Sequence, residues 1–203
     1  VADGSPPPDV SLEALMEAFI DGHPDAFNKL FERLAPRVRS LLAGLSGDRR
    51  LAEDLTQTTF LKVHRARGTY ARGARVEPWI FAIARRTWID DRRRRRSRPE
   101  DLSSDGTLPE PPDADLDTPN RLDPDQERAL YERLASLPDP QREAIVLMKA
   151  RGLSVTEAAR VAGTTPGAMK VRAHRAYEAL RAALGLQTAD DRKAARTNRG
   201  ESE

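Results

Sequence analysis

Leu153 to Leu184 reads LSVTEAARVAGTTPGAMKVRAHRAYEALRAAL, and its punctuation predicts two helices with a tight turn between them. Val155, Ala158, Ala159 and Ala162 fall at i, i+3, i+4 and i+7, which is one apolar face of a short helix. Gly163 supplies the glycine that ends such a helix. Thr165 offers a side-chain oxygen to the free amides of the next helix, and Pro166 stands where the first turn needs no N–H donor. Winding the second helix at ~3.6 residues per turn turns Met169, Ala173, Ala176 and Leu180 toward the first. Lys170, Val171, His174 and Arg175 then point away. A helix-turn-helix sets its second helix in the major groove, so these four are candidates for base edges, with Thr165 at its start. Arg172 and Arg181 lie nearer the flanks and are candidates for phosphate. An antiparallel helix pair with a solvated basic face would give the same pattern.

The chain of 203 residues is 38% hydrophobic and 33% charged, with 5% aromatic residues, a soluble and helix-rich profile. A net charge of only +2 means that any nucleic-acid reading must come from where charges cluster. The absence of cysteine removes disulfides, thiolate zinc sites and thiol catalysis. His23, His64 and His174 have no metal-ligand spacing, so no metal or other cofactor is expected. Asp90 and Asp91 diverge on a helix, with no histidine, cysteine or glycine-rich phosphate loop beside them, and no catalytic residue is expected. No apolar run spans a bilayer and no signal peptide is evident, which predicts a cytoplasmic chain without membrane insertion.

The expected architecture is all-α, with two small helical domains joined by a flexible acidic linker. Residues 1–10 read as a loose tail. The first domain spans 11–96: Leu12, Leu15, Met16 and Phe19 make one helical face, and Phe27, Leu30, Phe31, Leu34, Val38, Leu41, Leu42 and Leu45 continue the period after a break at Asp21 to Pro24. A further helix runs from about Arg49 to Arg67, and another opens at Pro78 and ends in the arginine run Arg92 to Arg96. Residues 97–125 are rich in proline and aspartate and poor in apolar side chains, the mark of a linker. The second domain spans 126–186, with apolar positions Leu130, Leu134, Leu137, Ala144, Ile145 and Met148 before Gly152. Residues 187–203 form a frayed tail.

Two faces of the first domain exceed what folding needs. In the helix after Arg49, the stripe Ala52, Leu55, Thr59, Val63 and Ala66 points inward, while Asp54, Gln57 and Leu61 project elsewhere, a candidate docking face or a solvated one. In the helix after Pro78, Trp79, Ile80, Ile83 and Thr87 share one side, and Phe81, Arg85, Trp88 and Arg92 share another. Interleaved aromatic and basic groups suit stacked bases and a phosphate backbone. A central helix buried on both sides, with Phe81 and Trp88 in the core, fits the same spacing.

Three stretches in order carry a family resemblance: AEDLTQTTFLKVHRA at Ala52 to Ala66, PWIFAIARRTWIDDRRRRR at Pro78 to Arg96, and LPDPQREAIVLMKARGLSVTEAARVAGTTPGAMKVRAHRAYEAL at Leu137 to Leu180. Together they resemble the two-domain sigma factors of bacterial RNA polymerase, the extracytoplasmic-function class of the sigma-70 family. The resemblance implies docking of core polymerase, at its clamp helices and flap, with Asp54, Gln57, Phe60 and Leu61 on the docking face. It implies melting and reading of the minus-ten element by the loop Tyr70 to Glu77 and the helix after it, through Tyr70, Arg72, Arg75, Arg85, Arg86, Trp88 and Arg92. It implies minus-35 recognition through Thr165, Lys170, Val171, Arg172, His174 and Arg175. It also implies control by an anti-sigma factor; the run KVRAHRAYEAL resembles members paired with multi-span membrane anti-sigma proteins. A sigma mimic that only sequesters an anti-sigma protein, and an ordinary repressor or activator with the same helix-turn-helix, are the competing readings.

Overall fold

Ser11 begins the first helix by accepting the Ala14 N–H at 3.1 Å, an N-cap that leads into α1, Leu12–Ile20. The computed structural model describes residues 10–97 and 124–183. The expected tails fall outside these residues but for Val10, as does the expected linker but for Ser97, Pro124 and Asp125. After α1 come α2, Pro24–Ser46, α3, Arg49–Ala66, and α4, Val76–Ser97, with a short 3-10 turn at Arg67–Thr69. The second half holds α5, Pro124–Ala135, α6, Asp139–Ile145, α7, Val155–Ala162, and α8, Pro166–Ala183. The architecture is all-helical among the described residues.

Amphipathic periods explain most of this. Leu30, Leu34, Val38, Leu41 and Leu45 of α2 are buried against Leu15, Met16 and Phe19 of α1, Leu55 and Val63 of α3, and Ile80 and Phe81 of α4. Asp48 starts α3 by accepting the Leu51 N–H at 3.0 Å. Thr59 fits the apolar stripe of α3 because its hydroxyl donates to the Leu55 carbonyl at 2.7 Å and leaves only its methyl to pack.

The helix-turn-helix closes as its punctuation predicts. Ser154 and Glu157 form a reciprocal capping box at the start of α7. Gly163 adopts φ +61° at its end, and the Thr164 N–H donates to the Ala159 carbonyl at 2.9 Å. Thr165 then caps α8 by accepting the Ala168 N–H at 3.2 Å.

The two halves pack on one another instead of standing apart, and their buried side chains form one continuous cluster. Helix α2 meets α5 and α6, and α4 meets α7. Ala43 and Gly44 let α2 approach the π-helical turn Val146–Ala150 that extends α6; a Cβ built on Gly44 would lie 3.0 Å from a Val146 methyl. This contact explains why Val146 and Leu147 are buried beside Ala144 and Ile145, where a single-faced helix would expose them. Leu130 and Phe31 depart from expectation in the other direction: both keep about two fifths of their surface exposed.

Candidate nucleic-acid and docking interfaces

On α3, Asp54, Gln57 and Leu61 recur at i, i+3 and i+7 and are all exposed, with Leu61 at 61%. Phe60 does not share that face. It is 3% exposed, since a helix turns the residue before Leu61 by ~100° toward the core. Its ring meets Phe31 edge-on at 4.8 Å between centroids. Phe60 therefore supports the face from behind, and Phe31 adds an exposed aromatic beside it. Phe31 was hidden in the sequence because it stands next to Leu30 in a run that reads as core.

The loop before α4 is held by carboxylates from α1. Gly73 donates its N–H to Glu17 at 3.1 Å and Val76 to Glu13 at 3.3 Å. Arg72 forms a forked pair with Asp21, with Nη1 at 3.2 Å from Oδ2. Hydrogen bonding from Arg72 holds the Asp21 carboxyl below the usual carboxylate range. Tyr70 is buried: its ring packs edge-on against Trp79 at 5.5 Å, and its hydroxyl donates to the Ala74 carbonyl. Burial pushes its phenol pKa up, with Glu13 and Glu17 adding to the effect. Tyr70 thus shapes the loop and offers no ring to a base in this state.

Helix α4 takes the central position. Ile80, Phe81, Ala84, Thr87 and Trp88 are all buried, so its two apolar faces both serve the core and the stacking platform is not exposed. The physical reason is that α4 is covered by α2 and α3 on one side and by α7 on another. Arg92 lies over the Trp88 ring at 5.5 Å and pairs with Asp139. Arg85 pairs with Glu143, and Arg75 lies between Glu77 at 2.8 Å and Glu157 at 2.5 Å. Arg86 is exposed. The charged groups expected on the minus-ten face are therefore present, but three of them, Arg75, Arg85 and Arg92, hold carboxylates of the second half.

On α8 the inward side is Met169, Ala173 and Ala176, all buried. Lys170, Val171, His174 and Arg175 are exposed, with Val171 at 50%, and Arg172 is half-buried at the flank. His174 Nε2 lies 3.3 Å from Glu178 one turn on. Thr165 accepts one N–H as the cap, and its hydroxyl hydrogen remains to be donated.

Residues 30–98 match the family model for Sigma-70 region 2, and residues 127–180 match that for Sigma-70, region 4. RNA polymerase sigma factor CarQ of Myxococcus xanthus is 44% identical over 170 residues, covering 84% of this chain and 95% of that protein. The chain belongs to the extracytoplasmic-function RNA polymerase sigma factors. The sigma factor SigF of Caulobacter vibrioides is 37% identical over 173 residues, covering 83% and 91%. Among solved structures, this sigma factor is similar to RpoE of Bartonella quintana, crystallised with the anti-sigma factor NepR, at TM-score 0.66 and 29% identity over 81% of this chain and 99% of that one. CnrH, solved with the cytosolic domain of CnrY, shares the fold at TM-score 0.64 and 24% identity, covering 87% and 98%.

The matched stretches contain α3, α4 and the helix-turn-helix, so all three candidate faces of the sigma factor lie inside family regions. No helix among the described residues is long and apolar enough to cross a membrane, and no cluster of three potential metal ligands occurs among them.

Proposed function

We propose that this sigma factor acts without chemistry of its own, in the cytoplasm, as a dissociable subunit that positions two DNA-reading surfaces on core RNA polymerase. The face of Asp54, Gln57 and Leu61, flanked by Phe31, docks on the clamp helices. Arg72, Arg75, Arg85, Arg86 and Arg92 serve the minus-ten strand, with Tyr70, Trp88 and Phe60 acting from behind as packing supports. Lys170, Val171, His174 and Arg175 read the minus-35 duplex, and Thr165 and Arg172 help to position it on phosphate.

The observation that carries this reading is α8: Met169, Ala173 and Ala176 are buried in the fold, with Leu180 partly buried, and the basic side is left open with Val171 half-exposed among cations. An exposed β-branched side chain among cations suits a groove where thymine methyls and phosphates lie together. Control by an anti-sigma factor is supported by the likeness to RpoE, whose structure contains NepR.

The deciding experiment is transcription of whole genomic DNA from the source organism by purified core polymerase, with transcript 5′ ends sequenced. Adding the chain should create a discrete set of new starts that share an upstream element. A random distribution of starts, or no product, would refute the reading and favour a mimic that only binds anti-sigma protein.

A further inference from the structure

The loop that leads into α4 is held from outside the stretch that matches Sigma-70 region 2. That stretch begins at residue 30, and α1 lies before it. Leu15, Met16 and Phe19 bury one side of α1 in the core. Glu13, Glu17 and Asp21 follow one another at i, i+4 and i+8, a row of carboxylates along another side. Such a row disfavours the helix that carries it. Like charges one turn apart repel, no basic residue occupies the last turn, and Asp21 stands at the C-cap, where the helix dipole is negative.

The loop supplies what offsets this. Glu17 accepts the Gly73 N–H at 3.1 Å, and Glu13 accepts the Val76 N–H at 3.3 Å. Val76 opens α4, so Glu13 serves, from another helix, one of the amides that a helix start leaves bare. Arg72 turns both of its Nη groups to Asp21. At the base of the loop the Tyr70 hydroxyl donates to the Ala74 carbonyl, and α1 reaches there too, where Arg67 lies over the Phe19 ring at 5.6 Å. The tip cannot anchor itself. Ala71, Gly73 and Ala74 are exposed and carry no side chain beyond a methyl.

We propose that Glu13, Glu17 and Asp21 are positioning residues for the minus-ten reading: α1 is the template on which the loop is shaped, and Arg72 serves the strand by bracing the loop against Asp21 without touching DNA. A loop that reads bases must already hold its shape, because ordering it during binding would weaken capture, and a supporting layer of hydrogen bonds supplies that order. The Gly73 and Val76 amides and the Arg72 fork are committed to carboxylates, which place three negative charges behind the loop and disfavour a phosphate there. The strand then meets the loop on its exposed side, at Ala71 and Ala74. The inference rests on the minus-ten role proposed for the loop.

The full chain and core polymerase are given a promoter library randomised at both the minus-ten and the minus-35 elements, and the transcripts are sequenced. Glu13→Ala/Glu17→Ala removes both acceptors. It should lower output about tenfold, as for the loss of about one charged hydrogen bond, and flatten base preference at the minus-ten element while the minus-35 preference stays. Glu13→Gln/Glu17→Gln keeps an oxygen for each amide and should retain the minus-ten preference. Asp21→Ala and Arg72→Ala should each lower output by the same factor, about threefold, and the double variant should fall no further, since the two act as one brace. A DNA contact by Arg72 gives the opposite sign, because Asp21→Ala would free the guanidinium and raise output. That rise overturns the inference, as does an unchanged minus-ten preference in Glu13→Ala/Glu17→Ala, or an equal loss of preference at both elements. Ala71→Trp alters the exposed tip and tests the loop itself. It should change the minus-ten preference whatever the α1 variants do; no change there would overturn the role of the loop on which the inference rests.

Discussion

Leu61 offers the sharpest test of the proposed docking face. It keeps 61% of its area exposed on α3 and contributes correspondingly little to the fold. Full burial of a leucine contributes about 1.5–3 kcal/mol, so a partner that covers the remaining three fifths gains about 1–2 kcal/mol from this side chain. Leu61→Ala removes most of that gain and should weaken binding to core polymerase roughly tenfold. Leu61→Asp does more, because it places an unpaired carboxylate in the contact, and should weaken binding by about a hundredfold or beyond. Both variants should melt within a degree or two of the unaltered chain, as expected for a surface site outside the core. Competition of labelled and unlabelled chain for purified core polymerase gives the affinity, and a thermal melt gives the control. Unchanged affinity for Leu61→Asp would refute docking on this face; a large fall in melting temperature would show that Leu61 belongs to the fold.

Lys170→Ala and His174→Ala should alter upstream sequence preference, each base contact being worth about 1–3 kcal/mol, whereas Arg172→Ala and Arg181→Ala should weaken all sequences and lower the salt slope by about one; equal losses on specific and random duplexes for all four would contradict the division. Ser154→Ala removes the capping box of α7 and should cost about 1 kcal/mol in a denaturant titration, and an unchanged midpoint would refute that role. Arg151 has its pKa pushed down to about 10, chiefly by burial, and no carboxylate among the described residues pairs with it, so folding disfavours its charge by about 3 kcal/mol. Arg151→Met, which keeps the stem, should leave stability equal or higher despite two lost hydrogen bonds, and a loss above about 2 kcal/mol would contradict this. Glu157 has a folded pKa below its ordinary 4.5, so its contribution is present above that value and is lost as pH falls through the folded pKa; the acid melting profile of Glu157→Gln should lack that step.

How much was legible in the sequence depended on whether a residue's partner was local. Gly163, Thr165 and Pro166 act within one turn of chain, and the helix-turn-helix could be read from them directly. Leu61 could be read as outward because Leu55 and Val63 define the inward stripe of the same helix. Helix α4 resisted such reading. Its sequence carries two apolar faces, and a doubly covered core helix has the same spacing as a stacking platform; the packing of α2, α3 and α7 around it decides that Phe81 and Trp88 are interior. Tyr70 and Phe60 were hidden for a similar reason, since they pack on Trp79 and Phe31, which lie on other elements and outside any one helical period. The pairing of Arg75, Arg85 and Arg92 with the second half had no sequence signal, because contacts across a long linker leave no period to read.

That pairing alters what the salt dependence of the chain should mean. A cation released from water to phosphate sheds counterions from the DNA, and each such contact steepens the fall of affinity with salt. Arg75, Arg85 and Arg92 begin in ion pairs instead, and added salt weakens those pairs as well as the DNA contacts. Separation of the halves is therefore favoured by the salt that disfavours strand binding, and the two effects offset. For the free chain, the salt slope on single-stranded DNA should be shallower than the count of arginines on the proposed minus-ten face implies. It should steepen in Glu143→Gln/Asp139→Asn, where two of the internal pairs are gone and Arg85 and Arg92 meet DNA as free cations. A slope unchanged by that substitution would mean that these arginines do not touch the strand, whichever way the halves are arranged.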